Sequence, residues 1–241
     1  MLLELNNISK FFGGLNVLSD ISFGVGEGEI VGLIGPNGAG KTTIFNLISG
    51  IYMPTKGRVL FGDIDLVGRK PHQISHLGIA RTFQLVRIFP SMTVLENVMV
   101  GAVHCRRQRS KDKIQTLALD CMEMLGLTSL KERVVSQLTF SDRRLVEIAR
   151  ALASNPVLAL LDEPLAGLNP SETQQIMGVI REIRDQHGVS ILWIEHKIDA
   201  VFNVCDRVVV LDYGQMLAEG APQQIAKNKK VVEAYLGEPL A

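Results

Sequence analysis

The run Glu29-Ile30-Val31-Gly32-Leu33-Ile34 leads directly into Gly35-Pro36-Asn37-Gly38-Ala39-Gly40-Lys41-Thr42, and a helical stretch follows to Ser49. A nearly continuous apolar run is the mark of a strand buried on both faces, as parallel sheets require. The glycine-rich segment matches G-x4-G-K-[ST] in full, and it sits after a buried strand and before a helix, where the chemistry of that motif needs it. Glycines let successive backbone N–H groups converge on phosphate oxygens, and the helix N-terminus adds a favourable dipole. Lys41 is placed to neutralise β- and γ-phosphates, and the Thr42 hydroxyl to ligate Mg²⁺. The plainer reading, an ordinary glycine turn, is set aside by the flanking strand and helix.

The rest of the chain is organised around that unit. Residues 2–9 alternate imperfectly between apolar and polar, whereas Val17 to Val25 alternates well, which predicts two antiparallel strands. From about residue 85 to 155 strand-like runs give way to Leu117, Cys121, Met124 and Leu125 at helical spacing, a helical insertion. Strands return at 157–161, 190–194 and 207–211, separated by helix-length segments 171–187 and 197–204. Such alternation predicts parallel strands with crossover helices. A small hairpin is expected around Asp212-Tyr213-Gly214-Gln215 and a short final helix near Val231 to Leu236.

A phosphate loop alone does not choose a reaction, and a second acidic site narrows it. Leu158-Ala159-Leu160-Leu161-Asp162-Glu163 places two carboxylates at the end of a buried strand. Asp162 is suited to the Mg²⁺ shell and Glu163 to polarising an attacking water. A solvated strand-end pair is the bland alternative, and the preceding phosphate loop weighs against it. No guanine-reading N-K-x-D is present, since Asn228-Lys229-Lys230-Val231 lacks the Asp, so GTP is disfavoured.

Composition removes other classes. At 241 residues the chain is long enough to bury a core without a disulfide or structural metal. Lys plus Arg number 25 and Asp plus Glu number 25, a balance that argues against neutralising many phosphates along a nucleic acid. Cys105, Cys121 and Cys205 are far apart and form no CxxC pair, which fits a reducing compartment. His72 and His76 lack an HExxH glutamate and a third ligand, so they read as surface residues. The N-terminus carries no basic and apolar leader pattern, and no apolar stretch approaches the roughly 18 residues that span a bilayer. A cytosolic protein able to dock on a membrane partner is expected.

The motifs occur in an order that resembles the ATP-binding subunits of ABC transporters, over nearly the whole chain. They are the phosphate loop 35–42, Arg81-Thr82-Phe83-Gln84, a signature region from Leu138 to Leu152, the acidic strand end, Ala166-Gly167-Leu168-Asn169-Pro170, and His196. Within the family, Arg81-Thr82-Phe83-Gln84, Ile194-Glu195-His196, residues 208–214 and Glu233-Ala234-Tyr235-Leu236-Gly237 resemble the LivG-type subunit of high-affinity branched-chain amino-acid importers. The resemblance implies an α/β P-loop NTPase cassette filling 1–241. Its mixed-sheet core and antiparallel β subdomain would take 1–84 and 156–241, and its helical subdomain about 85–155.

The resemblance also implies roles. ATP would be held by Phe12 stacking on adenine, Val17 beside the base, residues 35–42 and Thr43. Mg²⁺ would meet Thr42, Gln84 and Asp162, with Glu163 as general base and His196 at the γ-phosphate. Implied partners are membrane permease subunits, a second ATPase subunit and, indirectly, a substrate-binding protein. The place implied is the cytoplasmic face of the cell membrane. A lipopolysaccharide-type exporter ATPase, a non-transport ABC ATPase and a low-turnover nucleotide sensor are the alternatives.

One stretch departs from the family pattern, which reads L-S-G-G-Q or L-S-Y-G-Q where this chain has Leu138-Thr139-Phe140-Ser141-Asp142. Ser141 replaces a glycine where backbone amides approach phosphate, and Asp142 adds a negative charge at the helix start. Locally, Ser141 is expected as N-cap with Asp142 favourable to the helix dipole. In this family the signature faces the partner's nucleotide, so the departure points to an unequal pair of sites and a heterodimer, with a homodimer as the alternative.

Overall fold

The computed structural model describes residues 1–103 and 110–236. Cys105 and Gly237, named above, lie outside the described residues. The chain divides into one compact unit of Met1–Ile74 with Ser190–Ala241 and another of Ser75–Val189.

The first unit opens with β1 (Leu3–Phe12) and β2 (Leu15–Val25), antiparallel from Leu3↔Val25 to Phe12↔Leu15. The imperfect alternation of β1 has a structural cause. The register shifts between Leu5 and Ile8, and Asn7 takes a left-handed φ of 52°. This bulge changes the phase of the strand, so Ile8 is buried along with Leu3 and Leu5 although it follows Leu5 by three residues rather than two. The Asn7 Nδ2 donates to Asp20 Oδ1 at 2.8 Å, and Asp20 on β2 is itself left-handed at φ 54°.

Next come β3 (Ile30–Ile34) and α1 (Lys41–Ile48), then β4 (Lys56–Phe61) and β5 (Ile64–Asp65), which complete a four-stranded antiparallel sheet in the order β2-β1-β4-β5. A short helix α2 (Pro71–Leu77) carries His72 and His76, both exposed, and among the described residues no cluster of potential metal ligands occurs.

The second unit contains β6 (Ile79–Arg81), α3 (Val94–Val103), α4 (Lys111–Met124), α5 (Phe140–Ala153), β7 (Leu158–Asp162) and α6 (Pro170–His187). Strands β6 and β7 pair in parallel from Ile79↔Leu158 to Arg81↔Leu160. The helical core buries Val98, Ala102, Ala118, Met122, Leu145, Ile148 and Leu152. Gly101 is where α3 meets α5, since a Cβ there would stand 1.9 Å from the Arg150 carbonyl oxygen. Helix α6 is bounded by strong local signals, with Asn169 and Glu172 forming a capping box and Gly188 closing the helix at φ 64°.

The chain then re-enters the first unit with β8 (Ser190–Ile194), α7 (Ile198–Val204), β9 (Arg207–Asp212), β10 (Gln215–Gly220), α8 (Pro222–Ile225) and α9 (Lys229–Leu236). Strand β3 pairs in parallel with β8 on one side and β9 on the other, and β9 turns back antiparallel into β10. Every residue of β3 and β8 is buried, as the apolar runs predict. Gly32 interrupts the run in β3 because α7 packs on it: a Cβ would meet Val201 Cγ1 at 2.5 Å and Cys205 Sγ at 3.0 Å.

Two helical glycines should respond oppositely to alanine. Gly101→Ala forces backbone apart and is expected to destabilise by about 1–3 kcal/mol. Gly178, exposed within α6 with nothing near its Cβ position, is expected to gain about 0.5–1 kcal/mol on the same change. Urea denaturation of the two variants measures both.

Candidate active site

In the first unit, the loop from Gly35 to Gly40 joins β3 to α1. A Cβ on Gly35, at φ 153°, would lie 2.2 Å from the Leu211 carbonyl oxygen. One on Gly40, at φ 101°, would lie 2.5 Å from Leu18 Cδ2 and 3.2 Å from the Val17 carbonyl oxygen. The loop is pressed so closely onto the ends of β9 and β2 that only glycine fits at either position. The same contact brings Val17 beside it.

Helix α1 starts at Lys41 without a side-chain cap and without an acidic residue in its first turn. Its leading amides therefore take no acceptor from a capping side chain, and a helix end of this kind suits an anion. The Lys41 ammonium, on a residue only 6 % exposed, donates to the carbonyls of Gly35 at 2.6 Å and Pro36 at 2.9 Å, folding the loop around its own lysine. Asn37, Gly38 and Thr42 are exposed, Pro36 and Thr43 half-buried, and Ala39 buried.

Phe12, at the end of β1, is 40 % exposed. Its ring meets Tyr52 edge to face at 5.1 Å, and the Lys10 ammonium lies 4.7 Å from its centroid. His196 follows β8 and is exposed, whereas Glu195 before it is buried. The Glu195 carboxylate accepts from the backbone N–H groups of His196 at 2.8 Å and Lys197 at 3.1 Å, which fixes the turn that carries the histidine.

In the second unit, β7 delivers Asp162 and Glu163. Asp162 is buried and accepts from the Arg81 guanidinium at 3.1 Å, with side chains 3 % and 9 % exposed. Burial pushes the Asp162 carboxyl above the usual aspartate range, and the hydrogen bond and charge of Arg81 pull against it. Burial likewise lowers the Arg81 guanidinium. The backbone N–H of Asp162 donates to the Thr82 hydroxyl at 3.1 Å. Glu163 has a left-handed backbone, φ 48°, and its carboxylate accepts from Gln84 Nε2 at 3.0 Å. The structure thus brings together Gln84 and Glu163, two of the residues singled out from the sequence.

The signature region is arranged differently from the expectation. Thr139, not Ser141, is the N-cap of α5: its hydroxyl accepts from the Asp142 N–H at 3.1 Å and donates to Asp142 Oδ2 at 2.7 Å. Thr139 has the extended backbone of a cap, and the acid that answers it stands three residues on, so the helix begins earlier and takes Ser141, which is buried, into its first turn. Leu138 is buried and Phe140 is 49 % exposed; a Cβ on Gly167 would lie 3.2 Å from the Phe140 ring.

A model of the ABC transporter family matches residues 18–166, more than half of the chain. The chain belongs to that family. A second model, of the branched-chain amino acid ATP-binding cassette transporter, matches residues 215–241. The high-affinity branched-chain amino acid transport ATP-binding protein LivG of Escherichia coli is 42 % identical, with 98 % of each chain covered. Among solved structures, the ADP conformation of the ABC transporter cassette MJ1267 superposes with a TM-score of 0.90 at 34 % identity, covering 98 % of this chain and 99 % of that one. A dimeric structure of the cassette MJ0796 bound to ADP and Pi gives 0.81 at 27 % identity, covering 91 % and 98 %. This ABC cassette binds ATP and hydrolyses it to drive transport.

Sequence reasoning passed over several residues around these sites. Tyr52 was signalled only by an apolar run beyond α1, and Glu195 by an acid directly after a buried strand. Arg81 lies within a motif whose pattern gives it no role of its own, yet it holds Asp162. Arg81→Met leaves a buried carboxylate without its counter-ion and is expected to destabilise by about 3–5 kcal/mol. Arg81→Lys should recover part of that loss, and thermal or urea unfolding of both variants is the check.

Proposed function

We propose that this cassette energises import of branched-chain or closely related amino acids through membrane permease subunits. The observation that carries the reading is the pairing of a complete phosphate loop with a C-terminal segment matched by the branched-chain amino acid cassette model. The identity of 42 % to a transporter subunit of that name supports it.

In this reading Phe12 and Val17 receive the adenine, and the amides of residues 35–42 with Thr43 receive the phosphates. The fit is physical. An uncapped helix N-terminus, a glycine cradle and a buried lysine form a donor set for a polyanion and little else. Lys41 exchanges loop carbonyls for phosphate oxygens. The Thr42 hydroxyl, the Asp162 carboxylate and the Gln84 side-chain oxygen are the hard oxygen donors that suit Mg²⁺. Because Gln84 already donates its amide nitrogen to Glu163, its oxygen is the atom left to meet a cation. When bound, Mg²⁺ would offset charge on the β- and γ-phosphates. Glu163 takes a proton from the attacking water, Gln84 holds that carboxylate in place, and His196 donates toward the γ-phosphate.

Two cassettes pair in this proposal, as the solved MJ0796 cassette does. We read the second as a different chain, because Asp142 already satisfies the Thr139 hydroxyl and brings a carboxylate to the helix end meant for the partner's phosphate. Among the described residues no helix is long and apolar enough to cross a membrane, so attachment to the cytoplasmic face falls to the permeases, with a binding protein acting through them. Leu85, 81 % exposed, and a hollow lined by Arg87, Ile88, Phe89, Val100 and Arg150 support a permease contact there.

Glu163→Gln is expected to lower ATP turnover of the complex by about 10²–10⁴-fold while ATP binding persists. Uptake of labelled leucine into vesicles carrying the complex should fall in parallel. Turnover that persists in the variant contradicts the assignment of the base; leucine uptake independent of the complex contradicts the substrate.

A further inference from the structure

The segment from Phe83 to Arg87 carries Gln84 but belongs to neither a helix nor a strand, so its backbone polar groups need partners from elsewhere. They find them on one helix. Glu147 Oε1 accepts from the N–H groups of Phe83 at 3.3 Å and Arg87 at 3.1 Å. Arg144 donates through Nη1 to the Phe83 carbonyl at 2.8 Å and through Nη2 to the Gln84 carbonyl at 2.9 Å. The two side chains also bond each other, Arg144 Nη1 to Glu147 Oε2 at 3.1 Å, and both are almost wholly buried, at 0 % and 1 %. Further along, the Arg150 guanidinium donates to the Arg87 carbonyl.

These bonds bracket one residue. The carbonyl of Gln84 is held, as are both backbone groups of Phe83 before it and the N–H of Arg87 after it. The free end of that residue is the side chain that meets Glu163 at 3.0 Å. We propose that Arg144 and Glu147 are positioning residues for hydrolysis, holding the backbone of residues 83–87 so that the Gln84 amide stays on the Glu163 carboxylate.

A purely stabilising role accounts for the pair poorly. Burying an ion pair is commonly neutral or worse for stability than apolar packing, and α5 already has Leu145, Ile148 and Leu152 for that purpose. A planar guanidinium forked across two successive carbonyls gives orientation, which lysine cannot reproduce. The buried Glu147 carboxyl is pushed up by desolvation, opposed by the N–H donors and by Arg144, so the charged clamp depends on the loop being in place.

The proposal rests on the hydrolytic roles given above to Gln84 and Glu163, and the test separates the two. ATP turnover is measured in the complex that co-purifies with the tagged full-length chain, for Glu147→Ala, Gln84→Ala and the double variant, with Glu163→Gln alongside. Glu147→Ala is expected to lower kcat about ten- to a hundredfold, the cost of an ångström-scale misplacement. KM for ATP should stay within about twofold. Glu147→Gln, which keeps an acceptor oxygen in place, should recover most of the rate. In the Gln84→Ala background Glu147→Ala should cost less than about twofold, because nothing remains to be positioned. Arg144→Lys runs the same cycle where Glu147→Ala fails to fold. An unchanged kcat in Glu147→Ala, or an equal loss with and without Gln84, overturns the proposal while Glu163→Gln remains inactive. A complex indifferent to Glu163→Gln overturns the hydrolytic reading and this one with it.

Discussion

A lysine ammonium folded back onto two carbonyls of its own loop organises the first unit. Lys41 holds the Gly35 and Pro36 carbonyls, and the turn this closes leaves Asn37 and Gly38 exposed at its tip while Ala39 and Gly40 stay buried. The geometry is available only because Gly35 and Gly40 lie against Leu211, Val17 and Leu18 with no room for a Cβ. The strands that supply those residues are thus part of the site. The paired, buried strands β3, β8 and β9 carry the loop from the end of β3 into α1, and Val17 and Leu18 of the antiparallel strand β2 pack beside it.

The second unit uses side-chain pairs for what the first achieves with backbone. Asp162 and Glu163 emerge from the same buried strand, and each is held by a residue far away in sequence: Asp162 by Arg81 and Glu163 by Gln84. The two carboxylates consequently have different surroundings. Asp162 is buried and ion-paired, whereas Glu163 is more open, on a left-handed backbone, with an amide donor. That division suits one acid to holding charge and the other to accepting a proton. Helix α5 ties the unit together, with its N-terminus in the signature and its Arg144 and Glu147 on the loop of Gln84.

Much of this was legible in the sequence wherever the information is local. The buried strand β3, its glycine loop and the limits of α6 follow from patterns that span a few residues, because glycine conformation, capping and burial periodicity act over that distance. The phase change at Asn7 was visible only as broken alternation, since a bulge depends on the partner strand. Ser141 reads as a cap from its place directly before Asp142, but the competition with Thr139 is decided by which residue finds an acid at the third helical position. The clamps of Arg81, Arg144 and Glu147 left no such trace. Their partners lie 60 to 81 residues away, and a charged residue on a helix or at a strand end reads as solvated until the contact is known.

In the proposed function the phosphate loop is a site already folded, in which Lys41 trades loop carbonyls for phosphate. A crystal structure of the full chain with Mg²⁺ and a non-hydrolysable ATP analogue tests this most directly. The expected result has the amides at the start of α1 within hydrogen-bond range of the β-phosphate and the Lys41 ammonium moved from the Gly35 and Pro36 carbonyls onto phosphate oxygens. A nucleotide bound elsewhere, or a Lys41 still folded onto its own loop with phosphate present, would contradict it.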